Sequence, residues 1–446
     1  MQMHLTGFMI YCPAPHTTMS WVYPREKLRH QWYEIGYWEE IARTLEEGLF
    51  DMFFFADGWG GGNDIGIRYA VQWPAADPTV LVPRLSAVTK DLGFAVTMST
   101  TFYPPYMLAR KLATMDHVTE GRIGWNIVTS INRGEARRFG LDALPPHDER
   151  YDRADEYLDL CLRLFHSWED DAMVMDHESG IFADIDKIDR FRYEGQWYRS
   201  TGPLSVVPSP QRVPYLLQAG SSDRGRDFAA RWAETVFASE LSTPAMAAFC
   251  DDLAGRTEAN GRDPDQLRVL WSASPIVAPT EAEARERQSE IAERIPLEAS
   301  VAMMSGHLNL DLAAFDLDTK LSVLEGQVDG TQGMFDMWHR NGEDPTIREA
   351  ARRYGAGGLG RSALLGTPAQ VADEMITLLS EGGGHGFQLT PPYYAPDYYR
   401  DLVDLLIPEL QRRGVYRTSY AGGTLRDRMG GGSPPAWTRP NIKADR

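Results

Sequence analysis

Three places in the 446-residue chain put ligand-binding residue types where a fold would present them. Asp57 follows the apolar run Phe53-Phe54-Phe55-Ala56. A carboxylate at the carboxyl end of a buried strand sits at the functional end of an α/β barrel, although an Asp before Gly58 also caps turns. Asn126 lies inside the otherwise apolar run from Arg122 to Val128. A buried amide needs partners, so Asn126 is either a satisfied core residue or a ligand contact. The segment Gln218-Ala219-Gly220-Ser221-Ser222-Asp223 ends an apolar run in a glycine and two hydroxyls, and a helical pattern begins at once. Free backbone N–H groups, hydroxyls and the positive end of a helix then meet at one point, which suits a phosphate. Ser221 or Ser222 acting only as the helix N-cap fits the same residues.

Other chemistries lack their residues. No H-x-x-x-H, H-E-x-x-H or His/Cys cluster is present, so no metal is expected. There is no G-x-S-x-G elbow and no Walker A pattern. Gly355-Ala356-Gly357-Gly358-Leu359-Gly360 satisfies G-x-G-x-x-G, but a polar helical run rather than a strand precedes it. It therefore reads as a flexible loop and not as a dinucleotide cradle. With no nucleophile of its own, such a site suits a cofactor that brings the reactivity.

The elements that must position these residues alternate in type. Strands are expected at Leu5–Tyr11, Phe50–Ala56, Gly93–Met98, Arg122–Val128, Pro214–Ala219, Glu234–Ala238, Leu267–Val277 and Gly386–Leu389. Helical spacing falls between them, as in Ile35, Trp38, Ile41, Ala42 and Leu45, or from Asp152 to Trp168. About eight strand-then-helix units point to a closed (β/α)8 TIM barrel, an α/β fold, with an open doubly wound sheet as the other arrangement. Two stretches break the period: 169–210, polar and irregular, and 296–365, rich in Met and Gly. Neither reads as a separate domain, so 1–428 forms one barrel domain with two insertions, and 429–446 is a loose Gly/Pro tail.

Composition excludes several partners. Forty-five Lys and Arg against 63 Asp and Glu give a net charge of −18, which repels nucleic acid and anionic membranes. No apolar stretch reaches the ~18 residues a membrane span needs. The N-terminus lacks the basic segment of a signal peptide. Cys12, Cys161 and Cys250 are odd in number and widely spaced. A reducing cytoplasm is the expected location.

Several motifs together resemble one family. They are Asn126-Ile127-Val128-Thr129-Ser130, the run from His147 to Tyr157 beginning His-Asp-Glu-Arg-Tyr-Asp, Ser209-Pro210-Gln211-Arg212 and Gln218-Ala219-Gly220. The run from Met98 to Tyr106 and Gly121-Arg122-Ile123-Gly124-Trp125 belong to the same pattern. The chain resembles the bacterial-luciferase-like flavin monooxygenases, in the branch of nitrilotriacetate monooxygenase component A, dibenzothiophene-sulfone monooxygenase and long-chain alkane monooxygenase. The resemblance runs from about His4 to Arg428.

It implies a TIM barrel and FMN, delivered as FMNH2 by a separate NAD(P)H:FMN reductase, with O2 as co-substrate. It implies a homo-oligomer, dimer or tetramer. By position it implies flavin contacts from Asp57, Thr97 and Asn126, with His147, Tyr151, Ser221 and the adjoining Ser222 at the phosphate end. His16 and His307 correspond to polar positions near the substrate and are the expected catalytic donors. Phe8, Cys12, Phe54 and Phe237 are the expected pocket wall, with barrel core as their other role. The chemistry needs a shielded pocket, because water discharges the activated oxygen as H2O2, and 296–365 is the expected lid. The chain departs from relatives around Asp57 to Trp73, with Gly58-Trp59-Gly60-Gly61-Gly62, which bears on substrate rather than reaction. A neutral hydrophobic substrate such as a sulfone or alkane is expected; an aminopolycarboxylate is the alternative substrate. A deazaflavin-dependent oxidoreductase and a non-catalytic flavin-binding protein are the rival readings.

Overall fold

Strands buried on both faces read as continuous apolar runs, and eight such runs form the centre of this molecule. The computed structural model describes residues 2–13, 20–22, 28–60, 64–240, 242–328, 342–357 and 364–430. The strands are β1 (His4–Ile10), β2 (Met52–Ala56), β3 (Gly93–Ser99), β4 (Ile123–Val128), β5 (Tyr215–Gln218), β6 (Thr235–Ala238), β7 (Arg268–Ala273) and β8 (Gly386–Leu389). All neighbours are parallel, and β8 pairs with β1 to close the barrel. The expected closed (β/α)8 arrangement is therefore the one observed.

Side chains alternate across each strand. Phe8, Met52, Phe54, Ala95, Tyr215, Leu217, Phe237 and Leu270 pack together as one interior cluster. Leu5, Phe53, Phe55, Phe94, Val96, Trp125, Leu216 and Val236 join the cluster shared with the helices. Those helices are α1 (Ile35–Glu47), α2 (Pro78–Ser86), α3 (Pro105–Val118), α4 (His147–Phe165), α5 (Asp223–Trp232), α6 (Thr243–Ala259), α7 (Pro368–Gly382) and α8 (Ala395–Arg412). Within α8, Leu402–Leu406 forms a π turn. Pro408 supplies the reason: it has no N–H for a carbonyl one turn back, and its ring crowds that carbonyl.

Buried ion pairs close the N-terminal end of the barrel. Asp51, fully buried, accepts from the Leu5 N–H at 2.9 Å, from His4 Nδ1 at 3.0 Å and from the Arg417 guanidinium. Burial alone would raise the Asp51 pKa, but His4 and Arg417 hold it below the usual carboxylate range. Glu234 accepts from Arg426 Nε at 2.6 Å and from the Leu216 N–H at 2.9 Å. Leu425 and Met429 plug the interior cluster at this end. Met429, expected to begin the loose tail, is thus core; 431–446 lie outside the described residues.

Three expectations need correction. Residues 169–210 are not irregular: Met173–Asp176 pairs with Ile181–Ala183, and Arg192–Glu194 with Arg199–Thr201, as two antiparallel hairpins. Strands of three or four residues are too short to show a period of two. The 296–365 stretch contains helices Leu297–Leu308 and Ile347–Gly357. Val301, Met304, Leu308, Ile347, Ala351 and Tyr354 give it a small core of its own. Gly355 to Gly357 therefore end a helix rather than open a loop; 358–360 lie outside the described residues. Finally, α4 begins at His147, five residues before the expected Asp152, because its first turn is polar and carries no apolar stripe.

Candidate active site

The C-terminal ends of β2, β3 and β4 surround a cleft of about 190 Å3, open to solvent and lined by Asp57, Gly58, Trp59, Thr97, Ser99, Val128, Ser130 and Glu135. Asp57 stands just past β2 and accepts from the Gly58 N–H at 2.9 Å. Burial raises its pKa to about 7, and the nearby carboxylates of Asp77 and Glu135 add to the effect. Glu135, 5% exposed, comes from the short helix Arg133–Arg138 and accepts from the Trp59 N–H at 2.9 Å. Burial raises its pKa too, against the Ser130 hydroxyl and the Trp59 N–H. Neither carboxyl forms an ion pair among the described residues. Ser130 is held at φ +59°, a left-handed geometry uncommon for residues with a Cβ, with its hydroxyl 2.9 Å from that of Ser99.

One inward step toward the mouth from Ala95 and Gly124 lie the paired residues Thr97 and Asn126. Thr97 Oγ1 donates to the Phe55 carbonyl at 2.9 Å and accepts from Asn126 Nδ2 at 2.9 Å. The Thr97 proton is therefore committed, and that fixes which end of the Asn126 amide faces it. Asn126 Oδ1 is left buried with no hydrogen-bond partner among the described residues. A buried acceptor without a donor costs ~1–3 kcal/mol, which leaves Oδ1 available to a ligand N–H or O–H.

A second constellation forms where α4 meets α5. Ser222 is the N-cap of α5 and accepts from the Gly225 N–H at 3.1 Å. His147 Nε2 lies 3.3 Å from Ser222 Oγ, and the His147 and Tyr151 rings meet edge-on at 5.2 Å. Tyr151 is buried; burial raises its pKa against the Ser222 and Thr129 hydroxyls, so it keeps its proton and can donate. A Cβ on Gly225 would come within 2.9 Å of both Ser222 Oγ and Tyr151 Oη. Glycine thus lets the helix start close to both hydroxyls. Arg224 lies 5.6 Å from the Tyr151 ring centre, held by Asp152 at 2.9 Å and Asp155 at 2.6 Å. Ser221 is exposed beside this corner. The capping and phosphate readings of Ser222 are not exclusive, because the cap still leaves the first N–H groups of α5 facing out. Thr129, just past β4, ties this corner to the cleft.

The other expected residues fall in different places. Phe8, Phe54 and Phe237 stack inside the barrel, with Phe8–Phe54 at 5.2 Å and Phe54–Phe237 at 4.7 Å. Cys12 is fully buried just past β1 and within electrostatic reach of Tyr37 on α1. His16 lies outside the described residues. His307, in the second insertion, bonds through Nδ1 to the Tyr354 hydroxyl, and Nε2 lies 3.5 Å from Gln72 Nε2. Burial lowers its pKa to about 4, so it is neutral at neutral pH. Among the cleft residues, Trp59, Ser99 and Ser130 lie in segments quoted from the sequence but were given no site role, and Glu135 was not noted. Ser130 closes the quoted Asn126–Ser130 motif, which was a usable signal; Glu135 has none.

An eight-stranded barrel whose mouth joins a polar cleft to a corner of hydroxyls, an imidazole and a helix N-terminus has the form of a cofactor-dependent α/β-barrel enzyme. Residues 8–386 match the luciferase-like monooxygenase family. The chain is 38% identical over 440 residues to the dibenzothiophene-sulfone monooxygenase of Rhodococcus erythropolis (strain XP), covering 96% of each. It is 36% identical over 443 residues to nitrilotriacetate monooxygenase component A of Aminobacter aminovorans, again covering 96% of each. A crystal structure of riboflavin lyase with modified FMN and riboflavin superposes with a TM-score of 0.89 at 32% identity, covering 98% of both chains. The chain belongs to the luciferase-like monooxygenase family and is a flavin-dependent monooxygenase.

Proposed function

We propose that the chain uses reduced FMN and O2 to transfer one oxygen atom to a small, neutral, hydrophobic organic molecule, and that a separate NAD(P)H-dependent reductase delivers the flavin. The bound reduced flavin would supply the electrons that activate O2. The single observation that carries the reading is the buried Asn126 acceptor on β4, unpartnered among the described residues and one strand away from the hydroxyl and imidazole corner that follows β5. That pairing fits a molecule with a polar-edged ring and a charged tail. Ser222, His147, Tyr151 and the first N–H groups of α5 would hold the phosphate, with Ser221 at the edge. Asn126 and Thr97 would orient the ring edge. Asp57, half protonated near pH 7, would hold a proton at that edge without adding a full charge. Phe8, Phe54 and Phe237 would keep the floor dry. His16 and His307 are the proposed donors to substrate oxygen, neutral His307 only once it releases the Tyr354 hydroxyl or the Gln72 amide that engage its two ring nitrogens, and Cys12 and the second insertion would flank the substrate. The component A relative supports a separate reductase, and the FMN-bound relative supports the cofactor.

A reducing cytoplasm suits three free thiols, and among the described residues no helix is long and apolar enough to cross a membrane. Association into a homo-oligomer would cover Val174, Met175, Ile181 and Phe182, each at least half exposed on one hairpin.

The test is a product screen with isotopic O2, FMN and a generic NADH-driven reductase. The panel holds an aromatic sulfone, a long alkane and nitrilotriacetate. One labelled oxygen in the sulfone or alkane product is expected. Only H2O2 with every candidate, or turnover with reduced deazaflavin and none with FMNH2, would overturn the reading.

A further inference from the structure

The loops after β2, β3 and β4 carry aromatic rings that the flavin reading leaves unused. Trp59 lines the cleft beside Asp57. Its ring centre is 4.9 Å from Phe139 and 5.7 Å from Phe102, both edge-on, while Phe102 and Phe139 stack at 4.3 Å and 15°. These three rings belong to neither the barrel interior nor the helix–sheet core. Phe139 is 46% exposed. Rings grouped at the rim of a polar cleft, open on one side, are what a ligand surface requires and what a soluble protein otherwise avoids.

The loop that carries Trp59 is fixed in place. Glu135 takes the Trp59 N–H at 2.9 Å, and Arg138 donates to the carbonyls of Trp59 and of Gly60 (3.1 Å). The Arg138 guanidinium also lies 4.5 Å over the Trp73 ring. That cation is therefore already engaged by carbonyls and a π face. The carboxyls beside the shelf, Asp57 and Glu135, are desolvated and disfavour an anion. Arg138, the cation beside Trp59, is thus engaged within the fold, whereas the exposed Phe139 ring offers stacking to a flat ring.

We propose that Trp59, Phe102 and Phe139 form the substrate shelf of this monooxygenase and select a flat, uncharged aromatic molecule stacked against the exposed Phe139 side of the cluster, its reacting atom turned toward the cleft. The assignment rests on the flavin monooxygenase reading above and names its substrate class.

Calorimetric titration of the FMN-loaded protein reads the shelf without turnover. Dibenzothiophene sulfone, dimethyl sulfone, nitrilotriacetate and tetramethylammonium serve as probes. The aromatic sulfone is expected to bind at least ~tenfold tighter than dimethyl sulfone, the scale of one aromatic contact. Phe139→Ala should cost it about tenfold and Trp59→Ala more, in KM rather than kcat, while Trp59→Phe recovers most of the loss. FMN affinity should hold within about twofold in Phe139→Ala, because Phe139 does not line the cleft and none of the phosphate or ring-edge groups is touched. An unchanged aromatic preference in both alanine variants, or tighter binding of nitrilotriacetate or tetramethylammonium than of the aromatic sulfone, would overturn the shelf. A parent that binds the sulfone with this pattern but yields only H2O2 would instead overturn the oxygenation reading and leave the shelf standing.

Discussion

The two ends of the barrel treat buried carboxylates in opposite ways. At the N-terminal end, Asp51 and Glu234 are each locked to an arginine and to a strand N–H. At the C-terminal end, half-buried Asp57 and buried Glu135 form no ion pair among the described residues, and burial raises both pKa values, that of Glu135 against the charge of Arg138. The same residue type is thus paired with an arginine at one end and left without an ion pair at the other. At the mouth, Asn126 Oδ1 and Glu135 Oε2 are acceptors, unpartnered among the described residues, that a ligand would complete. The mouth itself is divided again: a cleft with unpaired carboxyls at the ends of β2 to β4, and a polar corner at the N-terminus of α5.

Breaking the closed end should have the largest effect. Arg426→Met leaves Glu234 buried and unpaired, a loss of ~3–5 kcal/mol, visible as a large drop in melting temperature. A small drop would show that the closed end is not held by its ion pairs. Next is the corner at α5. Ser222→Asp sets a negative charge where the phosphate would rest and should weaken FMN about a hundredfold, ~2.7 kcal/mol, while leaving riboflavin nearly unaffected. Equal loss for both flavins would move the phosphate elsewhere. Asn126→Leu removes the orphaned acceptor. Flavin affinity should fall about tenfold, while thermal stability shifts by less than about 1 kcal/mol because a buried unsatisfied atom is lost along with the Thr97 bond.

The smallest effect separates the two ends by pH. Asp57 ionises near pH 7 in the fold and near 4 when unfolded. The cost of its burial is therefore absent in acid and grows as pH rises toward 7. Asp57→Asn should melt higher than the parent at pH 8, by about 2 °C, with the gap closing toward pH 4. Asp51 has a lowered pKa, so its stabilisation is present above pH 4 and lost in acid. Asp51→Asn should therefore be most harmful at neutral pH. Parallel pH profiles for the two variants would erase the contrast.

The barrel was legible because strands covered on both faces leave unbroken apolar runs, and β2 and β3 are plain examples. Asn126 stood out for the same reason, as a polar residue in such a run. Ser222 was readable from its place between a strand and a helix. Glu135 was not, because its bond to the Trp59 N–H spans 76 residues, and no local pattern encodes that closure. The second insertion hid its helices because Leu297–Leu308 is apolar on most sides, so no one-sided stripe appears. The aromatic shelf was invisible for a related reason: Trp59, Phe102 and Phe139 come from three separate loops.

A crystal structure of the complex with FMN tests the central claim directly. The phosphate oxygens should lie within ~3.2 Å of Ser222 Oγ, a His147 ring nitrogen or an α5 N–H, and a polar atom of the ring should reach Asn126 Oδ1. A phosphate seated at another strand end, or a ring that leaves Asn126 Oδ1 without a donor, would contradict it.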